Sequence, residues 1–255
     1  MKKNNNNLVT ILECNTYQNK SWYLNESLEY ELLDKNFSKY YNFNEIAILD
    51  IYDLHALVEK YSWKRNCCFA RGKITEDAYN IKTKGYKIRR LVNEKIEEGI
   101  TYKSTIIDYP KNWIMLDIDN FKTPDNCKLQ IKSHRELAVE NFIQTLHESF
   151  HDSSYVCQFS NGMFLNSKKI KAHLWFMLDE AYDGKTLKPW FEKHCEGVDK
   201  CIFRPAQILY TANPIFVNSR DPLKGKRIYL KEKNNKTVIL PKKEIIKEYL
   251  IKEDN

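Results

Sequence analysis

Apolar residues in this chain fall into two rhythms. Short unbroken runs such as Trp113-Ile114-Met115-Leu116 read as buried strands, and apolar positions three and four apart read as helix faces. Leu54, Leu57, Val58 and Tyr61 follow Asp53 at helical spacing, so the pattern predicts a helix capped by Asp53. Residues 67–70 predict a short strand that stops at Arg71-Gly72, and a helix is expected around 88–96. A strand through Trp113 to Asp119 comes next, then a helix over 133–151 with Leu137, Phe142, Leu146 and Phe150 on its apolar face. Residues 155–159 and 172–178 predict two strands joined by a lysine-rich loop. A helix over 186–195 follows, with Gly197 as its stop. Residues 202–210 predict a strand with Pro205 near its start, 227–231 and 237–240 a hairpin about Asn234-Asn235, and 242–251 an amphipathic helix. Interleaved helices and hairpin-like strand pairs together predict an α+β fold on a mixed or antiparallel sheet.

Composition adds limits. A chain of 255 residues with 42% apolar and 13% aromatic residues can bury a sizeable core, as one large domain or two small ones. The net charge of +7 is compatible with a polyanionic partner. The seven cysteines are odd in number, irregular in spacing and without a CxxC pair, which fits free thiols in a reducing compartment. His194, Cys195 and Cys201 lack a fourth ligand at usual spacing, so no zinc site is expected. The N-terminus has no apolar signal core and no run of ~20 apolar residues occurs, so a soluble, cytoplasmic protein without a membrane partner is expected.

The chemistry starts at the end of the apolar run, in Asp117-Ile118-Asp119. A strand alternates its side chains, so both carboxylates face one way. Two close carboxylates repel and cost desolvation unless a cation lies between them, and Mg²⁺ or Mn²⁺ favours such oxygen ligands, with substrate phosphates completing the shell. In Lys171-Ala172-His173-Leu174-Trp175-Phe176 the same alternation puts Lys171, His173 and Trp175 on one face, a lysine and a histidine able to hold a triphosphate. Asp199 and Asp179 are rival third acids. His147-Glu148-Ser149-Phe150-His151 matches the HExxH pattern of zinc proteases, but the predicted helix ends there with no third ligand in view, and it reads as a chance match.

The order of these motifs resembles the archaeo-eukaryotic primase superfamily, in particular the primase-polymerase domains of plasmids, phages and integrated elements. The resemblance spans residues 67–227. It rests on Phe69-Ala70-Arg71-Gly72, the Asp117-x-Asp119 strand, His173-Leu174-Trp175-Phe176, the acid Asp199, and Gln207-Ile208-Leu209-Tyr210-Thr211-Ala212-Asn213-Pro214. It implies an RRM-like catalytic core at 111–241 behind an N-terminal α/β part at 8–110; the asparagine run itself reads as a disordered tip at 1–7, and 242–255 as a helical tail. Asp117, Asp119 and Asp199 would hold two divalent ions, Mg²⁺ or Mn²⁺. His173, Lys171 and Arg71 would clamp the triphosphate, with Ser160 and Gln207 as further nucleotide contacts. The position of Lys171 is usually small in the family, so this chain departs from it there. The implied activity is nucleotidyl transfer by a DNA primase-polymerase on a single-stranded DNA template, from NTPs or dNTPs, beside a helicase in cis or in trans. The basic stretches at 82–90, 168–169 and 224–227 are candidates for tracking the template. Other classes compatible with the same residues are a metal-dependent nuclease, a non-catalytic origin-binding replication initiator and a glycosyltransferase. The last lacks a doubly wound nucleotide-binding pattern ahead of the motif.

Overall fold

The aspartate strand, Lys111–Lys122, is buried on both faces from Trp113 to Leu116. In the computed structural model, which describes residues 5–34, 37–124, 127–129, 131–163 and 168–246, it is an edge strand of a four-stranded antiparallel sheet. Its partner is the histidine strand, Lys169–Tyr182, which pairs in turn with the glutamine strand, Tyr155–Phe159, and that with Ile228–Lys231. Helix Lys132–Ile143 carries the chain from the aspartate strand to the glutamine strand and leaves the histidine strand between them, a split βαβ arrangement. After helix Gly184–His194 the chain returns to the free edge of the aspartate strand, where Val198 makes a single antiparallel bridge with Ile118.

Alternation along the strands divides the core into two layers. On one face Phe176 meets Phe150 at 5.1 Å and Phe121 meets Phe142 at 5.3 Å, under the helices. On the other, Trp175 packs on Trp113 at 6.1 Å and on Phe69 at 5.8 Å. Phe69 belongs to a second, five-stranded antiparallel sheet, ordered Ile208–Leu209, Cys67–Ala70, Leu8–Glu13, Tyr40–Ala47, Ile88–Arg89. Helix Ile51–Ser62 buries Leu54, Leu57, Val58 and Tyr61 in the same core, with Tyr61 5.3 Å from Phe69. The architecture is therefore α+β with largely antiparallel sheets; among the described residues Ile215–Phe216 pairs in parallel with Ser21–Leu24, and two isolated bridges are parallel as well.

Several expectations change. The parts at 8–110 and 111–241, expected within one domain, share strands: Ile208–Leu209 completes the N-terminal sheet and Ile215–Phe216 pairs with Ser21 and Trp22. Asn5–Asn7, expected in a disordered tip, form a 3₁₀ turn whose Asn7 carbonyl accepts from Ile48 N–H at 3.0 Å; residues 1–4 lie outside the described set. The first long helix is capped by Asp50, which accepts from Tyr52 and Asp53 N–H, while Asp53 sits in the first turn and accepts from Leu49 N–H. No helix forms at 88–96. Glu98 and Gly99 both take positive φ (52° and 76°), and this two-residue turn closes a hairpin of Lys95–Glu97 and Ile100–Tyr102.

The helix expected over 133–151 stops at Ile143, and Leu137 on its supposed apolar face is exposed. The strand expected at 202–210 is a 3₁₀ turn, Lys200–Phe203, followed by the short strand Ile208–Leu209. Val238 does not fold back on Ile228–Lys231 but bridges Leu178 in parallel. Residues 243–246 are helical with Ile246 buried, and the rest of the expected tail helix lies outside the described residues.

Candidate active-site cleft

Residues directly opposite across antiparallel strands share a face. The register sets Asp117 opposite His173, His173 opposite Gln158, and Gln158 opposite Ile228, so three polar groups stand in one row across adjacent strands. One step further, Asp119 and Asn120 together oppose Lys171, because Ile118 pairs with Ala172 and Phe121 with Ile170. This is a β-bulge, which bends a strand and re-aims its side chains. The row and the bulge open into a cleft of about 170 Å³ lined by Asp117, Asp119, His173, Gln158 and Ser160. Its opposite wall is the loop Gln18-Asn19-Lys20 after the first strand of the N-terminal sheet, together with Tyr210 and Ala212.

Each acid in the cleft meets a base. His173 Nε2 is 3.6 Å from Asp117 Oδ1, and Lys171 Nζ is 3.4 Å from Asp119 Oδ1. Burial pushes the Asp117 carboxyl above the usual carboxylate range. His173 opposes that shift, and the charges of Asp119 and Asp199 add to it. On the far side of the ring, His173 Nδ1 is 3.4 Å from Gln158 Oε1, and the Gln158 amide donates to the Thr211 carbonyl. That donation turns the Gln158 oxygen toward the ring, which places Nδ1 to donate to it and leaves Nε2 facing Asp117. The cleft floor is held from below by Arg227, 1% exposed, which donates to both oxygens of Asp221 at 2.7 Å and to the Ser160 carbonyl at 2.9 Å.

Asp199 stands beside this row rather than in its wall. Its N–H donates to the Asp117 carbonyl at 3.3 Å, while its carboxylate caps the turn Lys200–Phe203 by accepting from Cys201 N–H at 2.8 Å. Asp179 is six residues along the histidine strand from His173, about 20 Å at strand rise, and its N–H bonds Val238 instead. Of the two rival acids, Asp199 is thus the neighbour of Asp117.

Two expected nucleotide contacts lie elsewhere. Arg71 is 2% exposed, pairs with Asp108 at 3.6 Å and donates to the Tyr182 carbonyl. Asp108 in turn accepts from Gly184 and Lys185 N–H at 2.9 Å, so Arg71 helps seat the start of helix Gly184–His194 and does not reach the cleft. Gln207 donates to the Ile208 carbonyl at 3.4 Å outside the cleft wall, because Pro205 ties its segment to Gly72 N–H; the segment presents Tyr210 instead. Two basic stretches are also partly spent. Arg227 is buried, and Lys82 donates to the Phe43 carbonyl at 2.8 Å.

The HExxH match has no helical geometry. His147 precedes the 3₁₀ turn Glu148–Phe150 and packs on Trp190 at 5.1 Å, while His151 Nε2 bonds the Leu146 carbonyl. Among the described residues no three His, Cys, Asp or Glu side chains are grouped so as to hold a metal ion by themselves. The donors that line the cleft still suit a hard divalent cation in kind. They are two carboxylates, Asp119 and the half-buried Asp117, with Asp199 as a third acid near Asp117, and Mg²⁺ is commonly held by one or two carboxylates with substrate phosphates completing the shell.

Sequence reasoning missed Gln158 and the loop 18–20. Gln158 had a signal, being the one amide in the otherwise apolar strand Tyr155–Phe159 and 3% exposed. The loop had none, since it reaches Asp117 across about a hundred residues of chain. Among the described residues no helix is long and apolar enough to cross a membrane. Compared with protein families, curated proteins and solved structures, the chain matches none.

Proposed function

We propose that the cleft is the active site of a nucleotidyltransferase, a DNA primase-polymerase that makes or extends primers on single-stranded DNA. The observation that carries this reading is the double acid–base pairing, Asp117 with His173 and Asp119 with Lys171, on neighbouring strands of one cleft. A metal–triphosphate complex presents a cation and an array of phosphate oxygens side by side. Such a ligand can exchange partners with both pairs at once: the carboxylates take the cation, and His173 and Lys171 donate to the phosphates. Lys171, at the position that is usually small in archaeo-eukaryotic primases, then serves twice, neutralising Asp119 in the free protein and a phosphate in the complex.

The split βαβ sheet with a bridge at the free edge of the aspartate strand is in keeping with the RRM-like core of that superfamily. The sequential order of Asp117, Asp119, His173 and Asp199 agrees as well. In this reading Asp117 and Asp119 are the ligands of Mg²⁺ or Mn²⁺, with Asp199 swinging from its cap on Cys201 to join them. When bound, the ion neutralises charge on the phosphates and lowers the pKa of an attacking hydroxyl. Gln158 holds the His173 ring so that Nε2 meets the triphosphate, and Ser160 lines the same wall. Catalysis is mostly positioning and electrostatics. NTPs or dNTPs are the substrates, single-stranded DNA is the template, and replication of a plasmid, phage or mobile element beside a helicase is the setting.

The test supplies template, nucleotides and Mn²⁺ to the wild type and to Asp117→Ala/Asp119→Ala. Synthesis in the wild type and its loss in the double variant are expected, and synthesis by the double variant would refute the assignment. Degradation of DNA without nucleotides points to a nuclease. Sequence-specific binding without synthesis points to an initiator.

A further inference from the structure

Three segments meet beside the cleft mouth, and hydrogen bonds between them fix their proximity. Gln18 N–H donates to the Arg65 carbonyl at 2.6 Å and Cys14 N–H to the Asn66 carbonyl at 3.0 Å. Lys87 Nζ reaches Asn15 Oδ1 at 2.6 Å. Asn213 N–H donates to the Ser62 carbonyl, and Asn19 donates to the Asn213 carbonyl, both at 2.8 Å. The segments are 14–20, 62–66 and 82–87, and none contains an aspartate or a glutamate.

What these segments expose is unusual. Of the five tryptophans, Trp22, Trp113, Trp175 and Trp190 are each no more than 7% exposed, whereas Trp63 is 71% exposed. Tyr17 is 56% and Tyr86 69% exposed. Large aromatics standing in solvent, with Lys64, Arg65 and Lys84 exposed among them and no acid in the same segments, match what a single-stranded nucleic acid requires: π-faces for unstacked bases and cations for the backbone. Tyr17 directly precedes Gln18-Asn19-Lys20, the loop that forms the cleft wall opposite Asp117 and Asp119.

We propose that the rim made by Tyr17, Trp63 and Tyr86 with Lys64, Arg65 and Lys84 binds single-stranded nucleic acid and leads it into the cleft, with a base stacked on Trp63. The proposal rests on the reading of the cleft as a polymerase site for its direction, but its readout does not depend on catalysis. Because the other four tryptophans are buried, quenching of tryptophan emission by an added oligonucleotide reports Trp63.

The experiment titrates the protein with a 20-nucleotide oligo-dT, following tryptophan emission and, with a labelled oligonucleotide, anisotropy. Quenching that saturates with the anisotropy is expected. Trp63→Ala weakens binding about tenfold, Trp63→Phe stays within about threefold of wild type, and Lys64→Ala/Arg65→Ala lowers the slope of log K against log salt by about 1.4. A duplex of the same length, whose bases are already stacked, quenches less. Unchanged emission at saturation, or a Trp63→Ala protein that binds with wild-type affinity, overturns the proposal even where primer synthesis is intact. Conversely, a wild type that makes no primers but shows the quenching sinks the polymerase reading and leaves the rim standing.

Discussion

Replacing Asp117 by asparagine keeps the side chain's size and removes its charge. In the free protein that charge is unfavourable: burial pushes the carboxyl up, His173 and, less strongly, Lys171 pull it down, and Asp119 and Asp199 push it further up. A group whose folded-state pKa lies above its unfolded value favours the fold fully only below the unfolded value, and that contribution is lost as pH rises through the folded one. The asparagine has no such loss, so its advantage is absent in strong acid and complete near neutrality. A gain of about 1 kcal/mol is expected there, the usual size for relieving one strained functional group. For a chain of this length that is roughly 2–4 °C in Tm. Manganese reverses the ranking. At a concentration a hundred times its Kd the ion stabilises the wild type by about 2.7 kcal/mol, and this is lost with the ligand. Thermal melts of both proteins at pH 7, with and without Mn²⁺, decide the matter. An Asp117→Asn protein that melts lower than wild type in the absence of metal, or that keeps the Mn²⁺ shift, refutes the argument.

Three further outcomes follow from named contacts. Arg71→Met removes the buried arginine that pairs with half-buried Asp108 and donates to the Tyr182 carbonyl, and should cost about 1–3 kcal/mol in urea denaturation; a phosphate-clamping Arg71 would instead leave stability unchanged and weaken nucleotide binding. Lys111 is fully buried and its ammonium is pushed down to about 8 by that burial, so Lys111→Met should stabilise the protein by about 1–3 kcal/mol at pH 7. As pH rises from 8 toward 10.5 the wild type gives up this proton more readily when folded, its stability rises, and the difference between the two denaturation midpoints should shrink; a constant difference contradicts the burial argument. Gln158→Leu removes the acceptor behind His173 and should weaken triphosphate binding about tenfold by calorimetry, whereas unchanged affinity removes Gln158 from the site.

The central sheet was legible because its strands are apolar runs broken by single polar residues at matching alternation, and Asp117, Asp119 and His173 could be read from those breaks. What the pattern could not supply was pairing. The strand expected at 202–210 shrinks to Ile208–Leu209 because Asp199 caps a 3₁₀ turn and Pro205 binds Gly72 N–H. The segment 88–96 looked helical because side-chain spacing says nothing of the positive φ at Glu98 and Gly99. Arg71 was misplaced for a different reason: a lone arginine before a glycine serves a phosphate or a carboxylate of its own chain equally well, and only the position of Asp108 decides.

The edge strand Ile208–Leu209 also dictates an order of events in synthesis. Cys67–Ala70 emerges from the ribosome some 140 residues before the segment that covers its outer edge, and Ser21–Leu24 waits still longer for Ile215–Phe216. Contacts so distant along the chain slow folding, and an open apolar edge left waiting is a template for pairing with other chains. The nascent protein therefore passes through a stage in which its N-terminal sheet is formed but unclosed. At that stage holding the chain after residue 110 leaves the sheet adhesive, and release of the full chain lets the last strand shut it.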